Sequence, residues 1–121
     1  AKQRLEKGPE PYSKEESEYE RYFITDLLDD LIGSERFDEQ VFIMNELTEK
    51  LCHFVLVNRE EWVGRGKWIP RLLKKADEQL YQDIMKALEQ FYTHRDKSLF
   101  IQIAERELEK YGGRLFDGHS S

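Results

Sequence analysis

The chain is nearly without cysteine. Cys52 stands alone among 121 residues, so no intrachain disulfide can form, and its place between Leu51 and Phe54 reads as a packing position. Histidine is sparse too: His53, His94 and His119 are far apart, and with one thiol they make no zinc-ligand pattern. Long apolar runs are missing. The longest, Phe54-Val55-Leu56-Val57, stops at Asn58-Arg59, far short of the roughly 18–20 residues of a transmembrane helix. No apolar stretch follows the charges of Ala1-Lys2-Gln3-Arg4-Leu5-Glu6-Lys7, so a secretory signal is not expected and the cytoplasm is the expected location. No segment alternates β-branched residues long enough for a strand, and no internal repeat is visible.

What is present fits one small domain. A length of 121 residues excludes two independent cores, and a charged fraction of 36% with mean hydropathy of -0.78 suits helices with wide solvated faces. The net charge of -6 is unevenly spread: residues 1–50 carry -7, residues 51–75 carry +4 and residues 76–121 carry -3. Arg65, Lys67, Arg71, Lys74 and Lys75 fall in a stretch, 62–76, with no acidic residue. An acidic whole argues against duplex nucleic acid as a partner, since that affinity comes from many cations on phosphates. The compact cationic stretch suits a smaller anion. Lys74 and Lys75 have a simpler use, as charges complementing the C-terminal end of a short helix.

Helical spacing dominates the middle of the chain. Ser13-Lys14-Glu15-Glu16 forms a capping box, and Tyr19, Tyr22, Phe23 and Leu27 begin a stripe widened by Ile24, Leu28, Leu31 and Ile32 and stopped by Gly33. A second helix is predicted from about Arg36 or Asp38 to Val57, apolar on almost every side near its end and so either central or facing a partner. Gly64 and Gly66 break the pattern, and Pro70 is tolerated in the first turn of a short helix ending near Lys75. Asp77 is a plausible N-cap for a third long helix bearing Leu80, Tyr81, Ile84, Met85, Leu88, Phe91 and Tyr92. Asp96 is expected to cap a last helix through Tyr111, ended by Gly112-Gly113. The expected fold is all-α, an antiparallel up-and-down bundle of four main helices plus one short helix. Residues 1–12 read as a flexible lead-in, 13–113 as the bundle and 114–121 as a tail. The lead-in, opening on Ala1, fits a piece cut from something longer or a processed terminus, and tag removal before a complete small protein is the other reading.

Few constellations carry chemistry. Asp29-Asp30 and Glu60-Glu61 are adjacent, so on a helix their side chains diverge, and no histidine has the Glu three residues before it that a di-iron bundle uses. Cys52 and His53 point roughly 100° apart on a helix and cannot act as a nucleophile and base by themselves. Gly64-Arg65-Gly66-Lys67 lacks the spacing of a phosphate-binding loop. Arg114 and His119 fit an Arg-x4-His pattern that resembles the motif of ribonucleases in the HEPN superfamily of helical domains. The richest stretch runs from Asn58 to Leu72. It sets Trp62, Trp68 and four cations beside a turn, a composition suited to stacking on a planar ring and fixing its anionic groups. Trp68, Ile69 and Leu72 can equally pin the short helix to the bundle, and Trp68 is expected to do so.

Asn58-Arg59, then Gly66-Lys67-Trp68-Ile69-Pro70-Arg71-Leu72, and later Gly112-Gly113-Arg114-Leu115-Phe116, together resemble the C-terminal helical, HEPN-like domain of bacterial polymerase-β-like nucleotidyltransferases of the aminoglycoside-modifying kind. The similarity spans roughly residues 20–117. In that family an N-terminal α/β domain with a Gly-Ser motif and clustered aspartates binds magnesium and nucleotide, and the helical domain closes over it. Here Gly33-Ser34 is followed by Glu35-Arg36-Phe37, so that motif is absent and no catalytic residue is assigned. The resemblance implies a non-catalytic, substrate- and nucleotide-facing domain, with ATP and magnesium belonging to the parent enzyme. Its partner would be the nucleotidyltransferase domain or a second copy. Lys67, Trp68 and Arg71 would border the nucleotide, and Asn58, Arg59 and Arg65 the acceptor. The two other readings are a helical interaction or dimerisation module without a small-molecule ligand, and a ribonuclease using Arg114 and His119.

Overall fold

The computed structural model describes residues 12–61 and 63–113. Among them are five helices and no strand: α1 Lys14–Gly33, α2 Phe37–Asn58, α3 Trp68–Ala76, α4 Glu78–His94 and α5 Ser98–Glu109. The chain is an all-α bundle, as the periodicity predicts.

Contacts at the helix ends give the directions. Phe37 at the start of α2 meets Phe91 near the end of α4, with ring centroids 5.4 Å apart, while Arg59 just past α2 pairs with Asp77 just before α4 at 2.6 Å. These two helices are therefore antiparallel. Phe54, late in α2, touches both Tyr12 before α1 and Tyr111 after α5, at 5.9 and 5.4 Å between centroids. At the opposite end, the Lys97 ammonium before α5 donates to the carbonyls of Leu31, Ile32 and Ser34, at 2.6, 3.1 and 3.0 Å. The four long helices thus run up, down, up, down. α3 packs against both α2 and α4.

The core is drawn from every helix, including Leu28, Leu51, Phe54, Leu73, Ile84, Phe91, Phe100 and Leu108. The apolar end of α2 is central: Leu51, Phe54, Val55 and Leu56 are fully buried. Not every stripe residue is inside. Tyr19, Tyr22 and Ile32 stay exposed, because the stripe read from α1 is wider than the surface α2 and α5 offer it.

Caps define the boundaries. Ser13 and Glu16 form the expected reciprocal pair, and the Asp77 carboxylate accepts from the Leu80 amide at 3.0 Å. α5 begins one residue later than Asp96 predicts. Lys97 holds the cap position, and the Asp96 carboxylate reaches forward to both the amide and the hydroxyl of Ser98, at 3.0 and 2.6 Å. Those bonds hold the Asp96 carboxyl below its ordinary value. α2 ends without glycine: Glu60 takes φ of 58°, its amide donates to Val57 and that of Glu61 to Leu56, closing a Schellman-type end.

No helix among the described residues is long and apolar enough to cross a membrane.

Candidate functional site

α3 has nine residues and presents three rows of side chains. Ile69 and Leu73, one turn apart, are buried and fasten it to the bundle. Trp68, Arg71 and Lys75 follow one another on a second row, and Lys67, Pro70 and Lys74 on a third.

Trp68 does not pin the helix as expected. Its side chain is 52% exposed, because a single short helix turns one face inward and Trp68 lies about 100° from Ile69. What touches Trp68 is the loop before it: a Cβ placed on Gly64 would stand 2.5 Å from the Trp68 Cβ, so the backbone approaches where only glycine fits. The Arg71 guanidinium lies over the indole, 5.0 Å from the ring centroid. Arg65, Lys67, Arg71, Lys74 and Lys75 form no ion pair among the described residues.

The first two amides of α3 are already engaged. The Trp68 amide donates to the Arg65 carbonyl at 3.0 Å, the Ile69 amide to Gly66 at 3.1 Å, and Pro70 has none.

Asn58 and Arg59 are engaged elsewhere. The Asn58 amide donates to the Phe54 carbonyl at 2.8 Å within its own helix. Arg59 is two-thirds buried and its guanidinium is spent on Asp77, with Nε enclosed and unpartnered. The structure therefore gathers Arg65, Lys67, Trp68 and Arg71 around the start of α3 and sets Asn58 and Arg59 to work in joining α2 to α4. Trp62, Arg114 and His119 lie outside the described residues.

Sequence reasoning missed a groove between α2 and α4, beside α3. Its deepest part is a notch of about 160 Å³ lined by Thr48, Cys52, Ile69, Pro70, Leu73, Tyr81, Ile84, Met85 and Leu88. The Thr48 hydroxyl is turned to its own helix, donating to Met44 at 2.7 Å, and burial pushes the Cys52 thiol up to about 12, so both present apolar surface. A shallower hollow of about 470 Å³ adjoins it along Asn45, Glu49, Gly66 and Tyr92, where the Tyr92 hydroxyl donates to Asn45 at 2.8 Å. The signal was there in α4: its stripe is two rows wide. Leu80, Ile84, Ala87 and Phe91 fill the core, while Tyr81, Met85, Leu88 and Tyr92 line the groove, Met85 and Tyr92 each 46% exposed.

Among the described residues no group of three His, Cys, Asp or Glu side chains could hold a metal ion. Compared with known protein families, curated proteins and solved structures, the chain matches none.

Proposed function

We propose that this chain is a non-catalytic helical domain of a nucleotidyltransferase, whose α3 face borders the nucleotide or the acceptor. The resemblance at 58–72 motivates the reading, and one observation carries it. Trp68 is half-exposed with Arg71 across its ring, beside Lys67 and Arg65 that no described carboxylate neutralises. An exposed indole stacks on a planar base or ring, and the adjacent cations hold its phosphate or other anionic group. Lys67 precedes Arg71 by one helical turn, so both reach the same anion. Magnesium and the reacting groups would come from the α/β partner domain.

Trp68 is its own reporter once the other tryptophan is replaced. In a Trp62→Phe chain, titration with ATP and magnesium should give a saturable quench, lost in Lys67→Ala and in Arg71→Ala. A quench that persists unchanged in both variants overturns the reading. The second reading, a protein-interaction module, is favoured by the apolar groove between α2 and α4.

A further inference from the structure

The notch and its surroundings have a counterpart on the same chain. Phe42 is 77% exposed, the most exposed large apolar side chain among the described residues. It stands on α2 with Glu39 one turn before and Glu46 one turn after, both exposed. The α3 edge of the notch repeats this spacing in opposite charge. Pro70 lines the notch, with Lys67 three residues before and Lys74 four residues after, both exposed. In each case the charged pair is seven residues apart, about 10.5 Å along a helix, with the apolar residue between.

We infer that a second copy of this chain occupies the groove, the Phe42 ring of each protomer entering the notch of the other. Size allows it: an apolar cavity of about 150 Å³ accepts a benzene ring, and this one is about 160 Å³. Charge favours it. Glu39 and Glu46 of one protomer meet Lys67 and Lys74 of the other, and these lysines have no ion pair among the described residues. Three weak contacts compete: Arg36 and the Ser34 hydroxyl reach Glu39 at 3.6 and 3.5 Å, and the Lys74 ammonium stands 5.6 Å from the centroid of the Tyr81 ring. Glu49 borders the shallower hollow, and neither it nor Glu89 lines the notch.

Symmetry favours it as well. Phe42, Asn45 and Glu49 lie on one row of α2, and the latter two line the groove, so knob and socket share a face of the molecule. Two such faces related by a two-fold axis satisfy each other and leave no open end. Trp68 and Arg71, on the neighbouring row of α3, stay outside the contact, and Lys67 alone is shared with the nucleotide-facing reading, so Phe42 and Lys74 test the pairing separately from it.

Sedimentation equilibrium of the chain tests this. The wild type should sediment at twice the 14.6 kDa of one chain. Phe42→Ala, at a solvent-exposed helical position, should keep the helical circular dichroism and raise the dissociation constant at least about thirtyfold, as loss of a buried aromatic anchor does. Lys67→Glu with Lys74→Glu should weaken the dimer, and Glu39→Lys with Glu46→Lys in that same chain should recover it. A wild type that stays monomeric into the millimolar range overturns the inference, and so does a Phe42→Ala chain that dimerises as tightly as wild type.

Discussion

Cys52 and Phe42 lie ten residues apart on α2 and meet opposite fates, one at the floor of the notch and the other in solvent. Burial, with Glu49 adding to it, lifts the Cys52 thiol from its ordinary 9.0 to about 12. Since the thiolate is the reactive form, this thiol is inert in the folded protein. The same shift sets a pH dependence. Between 9.0 and about 12 the unfolded chain gives up a proton that the folded chain keeps, so stability is whole below pH 9 and falls as pH rises through that window. Tyr12, raised to about 12 first by burial and then by Glu20 and Glu16, acts in the same direction. Urea unfolding should show a falling midpoint above pH 9, the Cys52 part having a slope of at most about 1.4 kcal/mol per pH unit. Cys52→Ala should flatten the curve; an unchanged slope in that variant would contradict the burial argument.

At the scale of helices, Asp77 decides what Arg59 is for. One oxygen of its carboxylate caps α4 through the Leu80 amide and the other receives the Arg59 guanidinium, so a single side chain fixes both the start of α4 and the end of α2. Asp77→Asn keeps a capping oxygen and loses the ion pair; Asp77→Ala loses both. We expect thermal unfolding to place the Ala variant about 2 kcal/mol below wild type, of which about 1 kcal/mol is the cap, with Asn between them. Equal loss in the two variants would mean that the cap contributes nothing. The cap itself was legible from Asp77 before an apolar stripe, as were the Ser13 box and the stop near Gly33, because these signals are local. What was not legible depends on residues distant in sequence. Lys97 closes the end of α1 from over sixty residues away, and the Asn45–Tyr92 bond spans 47 positions. The end of α2 hides for a different reason: Glu60 adopts the left-handed conformation that glycine usually signals. The candidate site divides in the same way. Trp68 and Arg71 are three residues apart, so spacing alone puts them together, whereas the exposure of Trp68 follows from which face of α3 the bundle covers.

For the molecule as a whole, closure of the bundle runs through Phe54. Its ring is fully buried, stacked near Tyr12 and edge-on to Tyr111, so it joins the segment entering α1 to the segment leaving α5. Loss of that ring opens a cavity where both ends of the described fold meet. Phe54→Ala should cost about 3–5 kcal/mol, a large share of the roughly 5–15 kcal/mol by which a small domain is stable. Because all five helices contribute to one core, that loss should lower a single unfolding transition and not split it in two. Phe42→Ala makes the comparison on the same helix with the same side chain. With 77% of Phe42 already in water, its replacement should move the stability of the monomer by no more than about 0.5 kcal/mol. Denaturant melts of the two variants at concentrations where the chain is monomeric separate folding from pairing. If they lost equal stability, either Phe54 would not be the buried hub or Phe42 would be packed within its own chain, and in the latter case no knob would remain for a second copy to receive.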